Sequence, residues 1–183
     1  MQKIGQQIQV ERNKENVKVE VFPNPTSKDK LTLNFWIIGW SLCGLAVLAQ
    51  LIFYSDDFEK KHIAFLLIYM SFWAYLEFKV LFAYRWNKIG KEQIEIKDGK
   101  FIYTKVVGKR GFPFEADKSS LSDFLYEEST EKGIWNDINR AAWMVGGEVI
   151  QFRSEDKVRR LGMKLPKKDA VKLAELLNKF LKK

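Results

Sequence analysis

The stretch LTLNFWIIGWSLCGLAVLAQLIFY, residues 31–54, carries no charged residue, and a second uncharged stretch, IAFLLIYMSFWAYL, follows it at residues 63–76. At a rise of about 1.5 Å per residue the first makes a helix of about 36 Å, enough to cross a hydrocarbon core of about 30 Å with some tilt. Twelve of its residues are Leu, Ile, Phe or Val. Each of these favours insertion by roughly 0.3–0.6 kcal/mol near the bilayer centre. The polar exceptions Asn34, Ser41 and Gln50 are neutral, no Pro interrupts the run, and Gly39 and Gly44 are tolerated in lipid. A helical hairpin in the core of a soluble protein would show a polar stripe at helical spacing, and this run has none. It also begins too late, runs too long and lacks the small-residue cleavage site of a signal peptide. The expectation is a two-pass membrane protein, with transmembrane helices at 31–54 and 62–86 and a short external loop at 55–61.

The second span is less uniform. Its charge-free part ends at Leu76, and Glu77 and Lys79 come before the apolar Val80, Leu81 and Phe82. Counted from His62, Glu77 lies about 22 Å along the helix, near the inner interface. It can snorkel to the headgroups with Lys79, pair with a basic neighbour, or serve as a polar contact to another subunit or an ion path. Together with Asn34 and Gln50, Glu77 and Lys79 are the candidate partner contacts within the membrane.

Orientation follows from the basic residues. The loop Ser55 to Lys61 carries Asp56, Asp57, Glu59, Lys60 and Lys61, whereas six Lys or Arg precede the first span and twenty-two follow Tyr84. Basic residues near membrane ends stay on the cytoplasmic side, so both termini are expected in the cytoplasm and the loop outside. Tyr54 at one boundary and Trp73, Tyr84 and Trp86 near the other fit aromatic belts. The net charge of +8 then reads as an inner-leaflet effect: Arg85, Lys88 and Lys91 would lie just below an anionic surface, each contributing about 1 kcal/mol there. Nucleic-acid binding, the other common cause of a basic chain, has no docking motif here, and the basic residues are interleaved with acidic ones.

Residue counts narrow the chemistry. Cys43 is the only cysteine and His62 the only histidine. No disulfide can form within the chain, no thiolate metal site can be assembled, and Ser-His-Asp, Cys-His and His-cluster arrangements lack their members. The chain has no Gly-rich phosphate cradle. The carboxylate pairs Glu127/Glu128 and Asp117/Asp123 read as solvated surface charges. The reading is therefore no enzyme, no cofactor and no metal.

After Trp86 the period changes from helical to alternating. Ile94 and Ile96 alternate within Gln93 to Lys97, Asp98-Gly99 is a tight-turn signal, and Phe101 to Val107 continues as the return strand. Gly108 to Gly111 marks a second turn, after which Phe112, Phe114 and Ala116 alternate. A further strand is expected around Leu121 to Glu127, and a hairpin from Val149 to Ser154 and Lys157 to Leu161 across Glu155-Asp156. Thr130 to Gly147 reads either as a helix, from the spacing of Trp135, Ile138, Ala142 and Trp143, or as a loop, from its glycines. At the C-terminus, Ala170, Val171, Leu173, Ala174, Leu177, Phe180 and Leu181 form one apolar stripe after Pro166, predicting a helix over 166–182 that covers the strands. The N-terminal arm, residues 1–30, also alternates at Val17, Val19 and Val21, and is expected to add strands to the same sheet.

The predicted fold class is thus an α+β membrane protein: a two-helix transmembrane hairpin plus, over 87–183, a small antiparallel pleckstrin-homology-like β-barrel or sandwich capped by a C-terminal helix. The residues Phe35-Trp-Ile-Ile-Gly-Trp40, Asn87-Lys-Ile-Gly-Lys-Glu92, Ile94-Glu-Ile-Lys-Asp-Gly99, Val149-Ile-Gln-Phe152 and Arg160-Leu-Gly-Met-Lys-Leu165 carry a resemblance to a family of small bacterial membrane proteins in which two membrane helices precede a pleckstrin-homology-like domain. The resemblance implies a fold, a topology and the bacterial inner membrane, and it carries over no catalytic residues. The expected function is a non-enzymatic interaction module or accessory subunit. It would sit in the lipid bilayer and bind a membrane protein complex, or further copies of itself, through the β domain or the membrane helices. The alternative is recognition of anionic lipid headgroups by Lys105, Lys109 and Arg110 around the Gly108 turn, with Arg85, Lys88 and Lys91 nearby.

Overall fold

The computed structural model describes residues 2–13, 16–54, 58–127 and 145–182. The chain divides into two compact units: Pro25–Tyr84 makes up most of one, and Met1–Asn24 with the chain from Arg85 onward most of the other. The first consists of two helices, α1 (Ser27–Phe53) and the greater part of α2 (Lys60–Ile89). Both are long and apolar enough to cross a membrane.

Helix α1 begins four residues before the apolar run because Thr26 caps it. The Thr26 hydroxyl accepts from the Asp29 amide and the Asp29 carboxylate accepts from the Thr26 amide, a reciprocal capping box. Helix α2 likewise extends beyond the expected 62–86, to Ile89. Strand β4 then starts at once with Gly90, where a Cβ would lie 2.5 Å from the Trp86 carbonyl oxygen and 2.7 Å from its indole. The chain turns so closely over Trp86 that only glycine fits.

The second unit holds two antiparallel sheets and a helix. Six strands, β1 (Gln2–Ile4), β2 (Ile8–Arg12), β3 (Val17–Val21), β4 (Gly90–Lys97), β5 (Lys100–Val107) and β6 (Arg110–Asp117), lie side by side in sequence order. The strands of the N-terminal arm enter this sheet through β3 and β4, with Val17 opposite Ile96, Val19 opposite Ile94 and Val21 opposite Glu92. A second sheet contains β7 (Leu125–Tyr126), β8 (Glu148–Ser154) and β9 (Lys157–Met163). Helix α3 (Lys167–Leu181) closes the chain, with Pro166 in the N-cap position. Asp98 and Gly99 both take positive φ, +51° and +75°, the two-residue turn that matches the twist of the flanking strands.

Of the expected barrel or sandwich, a closed barrel is not formed. The sheets remain separate, and among the described residues no pairing joins β1 to β6 or one sheet to the other. The strand expected over Leu121 to Glu127 shrinks to two paired residues, Leu125 and Tyr126, and one isolated bridge from Leu121 to Ser154; a 3₁₀ turn, Lys118–Ser120, separates it from β6. The ambiguous stretch Thr130 to Gly147 lies outside the described residues, apart from Val145 to Gly147.

Alternation sets the core. One face of the six-stranded sheet supplies Val10, Val19, Ile94 and Tyr103 in one row and Val17, Ile96 and Phe101 in the next. The smaller sheet adds Ile150, Phe152 and Leu161, and α3 adds Ala170, Leu173, Leu177 and Phe180. Phe101, Phe124 and Phe152 pack with ring centroids 5.0–5.5 Å apart, in the tilted and edge-on arrangements that aromatic quadrupoles favour. The Asn178 side chain ties α3 to the approach to β7, donating to the Phe124 carbonyl at 2.9 Å and accepting from its amide at 2.7 Å.

Candidate functional site

Three groups of polar side chains stand out against this framework. The first lies between α1 and α2. The indole of Trp73 donates to the Trp40 carbonyl at 2.9 Å, and the indole of Trp40 donates to the Trp73 carbonyl at 3.4 Å. Gly44 makes the arrangement fit: a Cβ there would lie 1.9 Å from the Trp73 ring. One turn along α2 from Trp73, the Ser41 hydroxyl donates to Glu77 Oε1 at 2.7 Å, while Glu77 Oε2 is buried with no hydrogen-bond partner among the described residues. Trp73, expected in an interfacial aromatic belt, is thus a contact between helices.

Of the four residues singled out within the helices, Glu77 alone is drawn into this contact. Asn34, Gln50 and Lys79 are exposed, and the Lys79 ammonium lies 5.5 Å from the Tyr75 ring centre. Ser41, Glu77 and the two indole N–H groups face the neighbouring helix, and large apolar side chains face outward: Phe35, Ile38, Ile68, Phe72 and Phe78 are all more than half exposed.

The second group is buried in the β unit and was not among the sequence candidates. Glu92 on β4 is 1% exposed. Its Oε1 accepts from the Tyr103 hydroxyl at 2.9 Å, and its Oε2 accepts from the backbone amides of Gly162 at 2.8 Å and Met163 at 3.3 Å. Lys105 stands opposite Glu92 in the β4–β5 register and pairs with Glu148 of β8. A carboxylate of the larger sheet therefore holds the backbone of the smaller one. Burial pushes the Glu92 carboxyl above its ordinary value, opposed by the Lys105 charge and by the hydrogen bonds it accepts. The Tyr103 hydroxyl is pushed well above its ordinary value, first by burial and then by the Glu92 charge. The signal was present in the sequence: Glu92 lies two residues before Ile94 and four before Ile96, so alternation puts it on the inward face. Gly162, at φ +79°, presents its amide to Glu92 from a conformation that suits glycine.

The third group comprises the basic residues. Lys91 donates to Glu20 of β3 at 2.9 Å and Lys105 is engaged with Glu148, so acidic partners in the same unit balance both. Arg85, Lys88, Lys109 and Arg110 are exposed. Lys109 and Arg110 follow Gly108, whose amide donates to the carbonyl of Ile89, the last residue of α2, at 3.3 Å. Among the described residues no group of three or more His, Cys, Asp or Glu is placed to hold a metal ion. Comparison with protein families, with curated proteins and with solved structures finds no match to this chain.

Proposed function

We propose that the chain is a non-enzymatic interaction module, or accessory subunit, anchored in the bacterial cytoplasmic membrane by two helices with both termini inside. The observation that carries this reading is the inside-out helix pair: Ser41, Glu77 and both indole N–H groups face the neighbouring helix, while large apolar side chains face outward. Lipid is the solvent that suits such a pair. The β3–β4 pairing supports the topology, because it joins the strand before the first helix to the strand after the second. Two crossings satisfy that pairing and one does not. The antiparallel sheets with a C-terminal helix support a pleckstrin-homology-like domain in an open, two-sheet form.

Within this reading the outward faces of α1 and α2, with Phe78 and Tyr75 flanking the Glu77 turn, are the surface offered to a membrane partner or to a second copy. Photo-crosslinking from Phe72 and Phe78 in intact membranes, followed by mass spectrometry, tests it. Discrete adducts with one protein, or with the chain itself, are the expected result. Adducts with lipid alone, from a chain that sediments as a monomer in mild detergent, would reject the interaction role.

A further inference from the structure

Phe112 is 95% exposed, although the register places it on the core side of its sheet. It stands opposite Lys105, which stands opposite Glu92, which stands opposite Val21. Its neighbour two residues on, Phe114, has the same facing and packs against Phe101 and Phe152. The row is thus covered in its middle and open at Phe112. Lys109, Arg110 and Gly111 precede Phe112, Pro113 follows it, and all are exposed.

We infer that the β5–β6 turn is an interfacial wedge, in which Phe112 enters the headgroup region of the anionic inner leaflet while Lys109 and Arg110 hold lipid phosphates. The inference rests on the reading that α2 crosses the membrane. Three observations support it. Gly108, at the start of the turn, is hydrogen-bonded to Ile89, so the turn is fixed to the end of the helix that leaves the bilayer. Ile89 is itself 49% exposed, and Arg85 and Lys88 add positive charge on the same helix end. A protein strand adding to the β6 edge is the competing occupant, and Pro113 removes a backbone donor from that edge. A bare aromatic side chain beside two cations matches the chemistry of an anionic interface, where apolar burial and phosphate attraction act together.

The test uses the full chain with Cys43→Ser and one new cysteine, at Phe112, Phe72 or Asp156, carrying an environment-sensitive fluorophore. Each protein is reconstituted in phosphatidylcholine with or without phosphatidylglycerol, and with nitroxide-labelled lipids as quenchers. With phosphatidylglycerol present, the probe at 112 is expected to lose about half of its emission to a shallow nitroxide. The probe at 72 should be quenched by a deep nitroxide, and the probe at 156 by neither. K109A/R110A should return position 112 to its behaviour in phosphatidylcholine alone. Quenching at 72 without quenching at 112 overturns the wedge and leaves the membrane crossing standing, whereas no quenching at 72 removes the crossing and the wedge together. Quenching at 112 that ignores both phosphatidylglycerol and K109A/R110A overturns the role of the two cations. Shielding of position 112 from aqueous iodide in native membranes but not in proteoliposomes assigns the cover to a protein and overturns the lipid.

Discussion

At the residue scale, Glu92 is the most consequential side chain in the β unit. A buried carboxyl with a raised pKa binds its proton more tightly in the folded state than in the unfolded one. Its contribution to stability is therefore complete below the ordinary carboxylate range and is lost as pH rises through the folded value. E92Q resembles the protonated form: it keeps an acceptor for the Gly162 amide and brings a donor for Tyr103. It is expected to melt above the parent protein at pH 8, with the difference closing as pH falls toward the ordinary carboxylate range. Thermal melts across that range check this, and a lower melting temperature for E92Q at pH 8 would mean that Lys105 holds Glu92 ionised. Residues 92 and 162 are far apart in sequence, so alternation could place Glu92 inward while its partners stayed invisible. The separation of Ser41 from Glu77 hid their hydrogen bond in the same way, although both residues were legible as polar exceptions in apolar runs.

At the element scale, the helices and the hairpins around Asp98-Gly99 and Glu155-Asp156 were readable because each is specified locally, by hydrophobic length or by alternation on either side of a tight turn. The start of α1 was also locally encoded, in Thr26-Ser-Lys-Asp29, but the apolar run drew the boundary to Leu31. Contacts between elements were not readable this way. Trp73 lies over Gly44 and bonds the carbonyl of Trp40 one turn earlier, and nothing in either helix alone announces that fit. Each such polar contact contributes roughly 0.6 kcal/mol in a membrane setting, so close packing at Gly44 outweighs the hydrogen bonds. Gly44→Leu is therefore expected to separate α1 from α2, whereas Trp73→Phe, which keeps a ring and loses one donor, should leave them together. Disulfide trapping between cysteines introduced at Ser41 and Glu77, in a Cys43→Ser background, distinguishes these outcomes. Equal trapping in the Gly44→Leu chain would sink the argument.

For the whole molecule, the six-stranded sheet is assembled from chain on both sides of the helix pair. Removal of residues 1–24 takes away β1, β2 and β3 and uncovers the β4 edge along Glu92, Ile94 and Ile96. It also strips Ile8, Val10, Val17, Val19 and Val21 from the core. At about 1.5–3 kcal/mol for each buried aliphatic side chain, losing five is comparable to the whole stability of an ordinary domain. The truncated chain should insert in membranes yet lose its resistance to added protease over residues 88–183, and a protease-resistant β unit in that chain would contradict the sheet order. The same sheet bears on biogenesis. Strand β3 leaves the ribosome long before β4, and at about 5–20 residues per second the interval between them lasts several seconds. During that time Val17, Val19 and Val21 wait with an open edge. On the proposed two-pass topology, failure of either helix to insert would strand the two halves of the sheet on opposite sides of the bilayer, and the β unit would not close. On that proposed topology, completion of the sheet would act as a proofreading step on membrane insertion, and a chain threaded wrongly would carry its own unfolded flag for proteases.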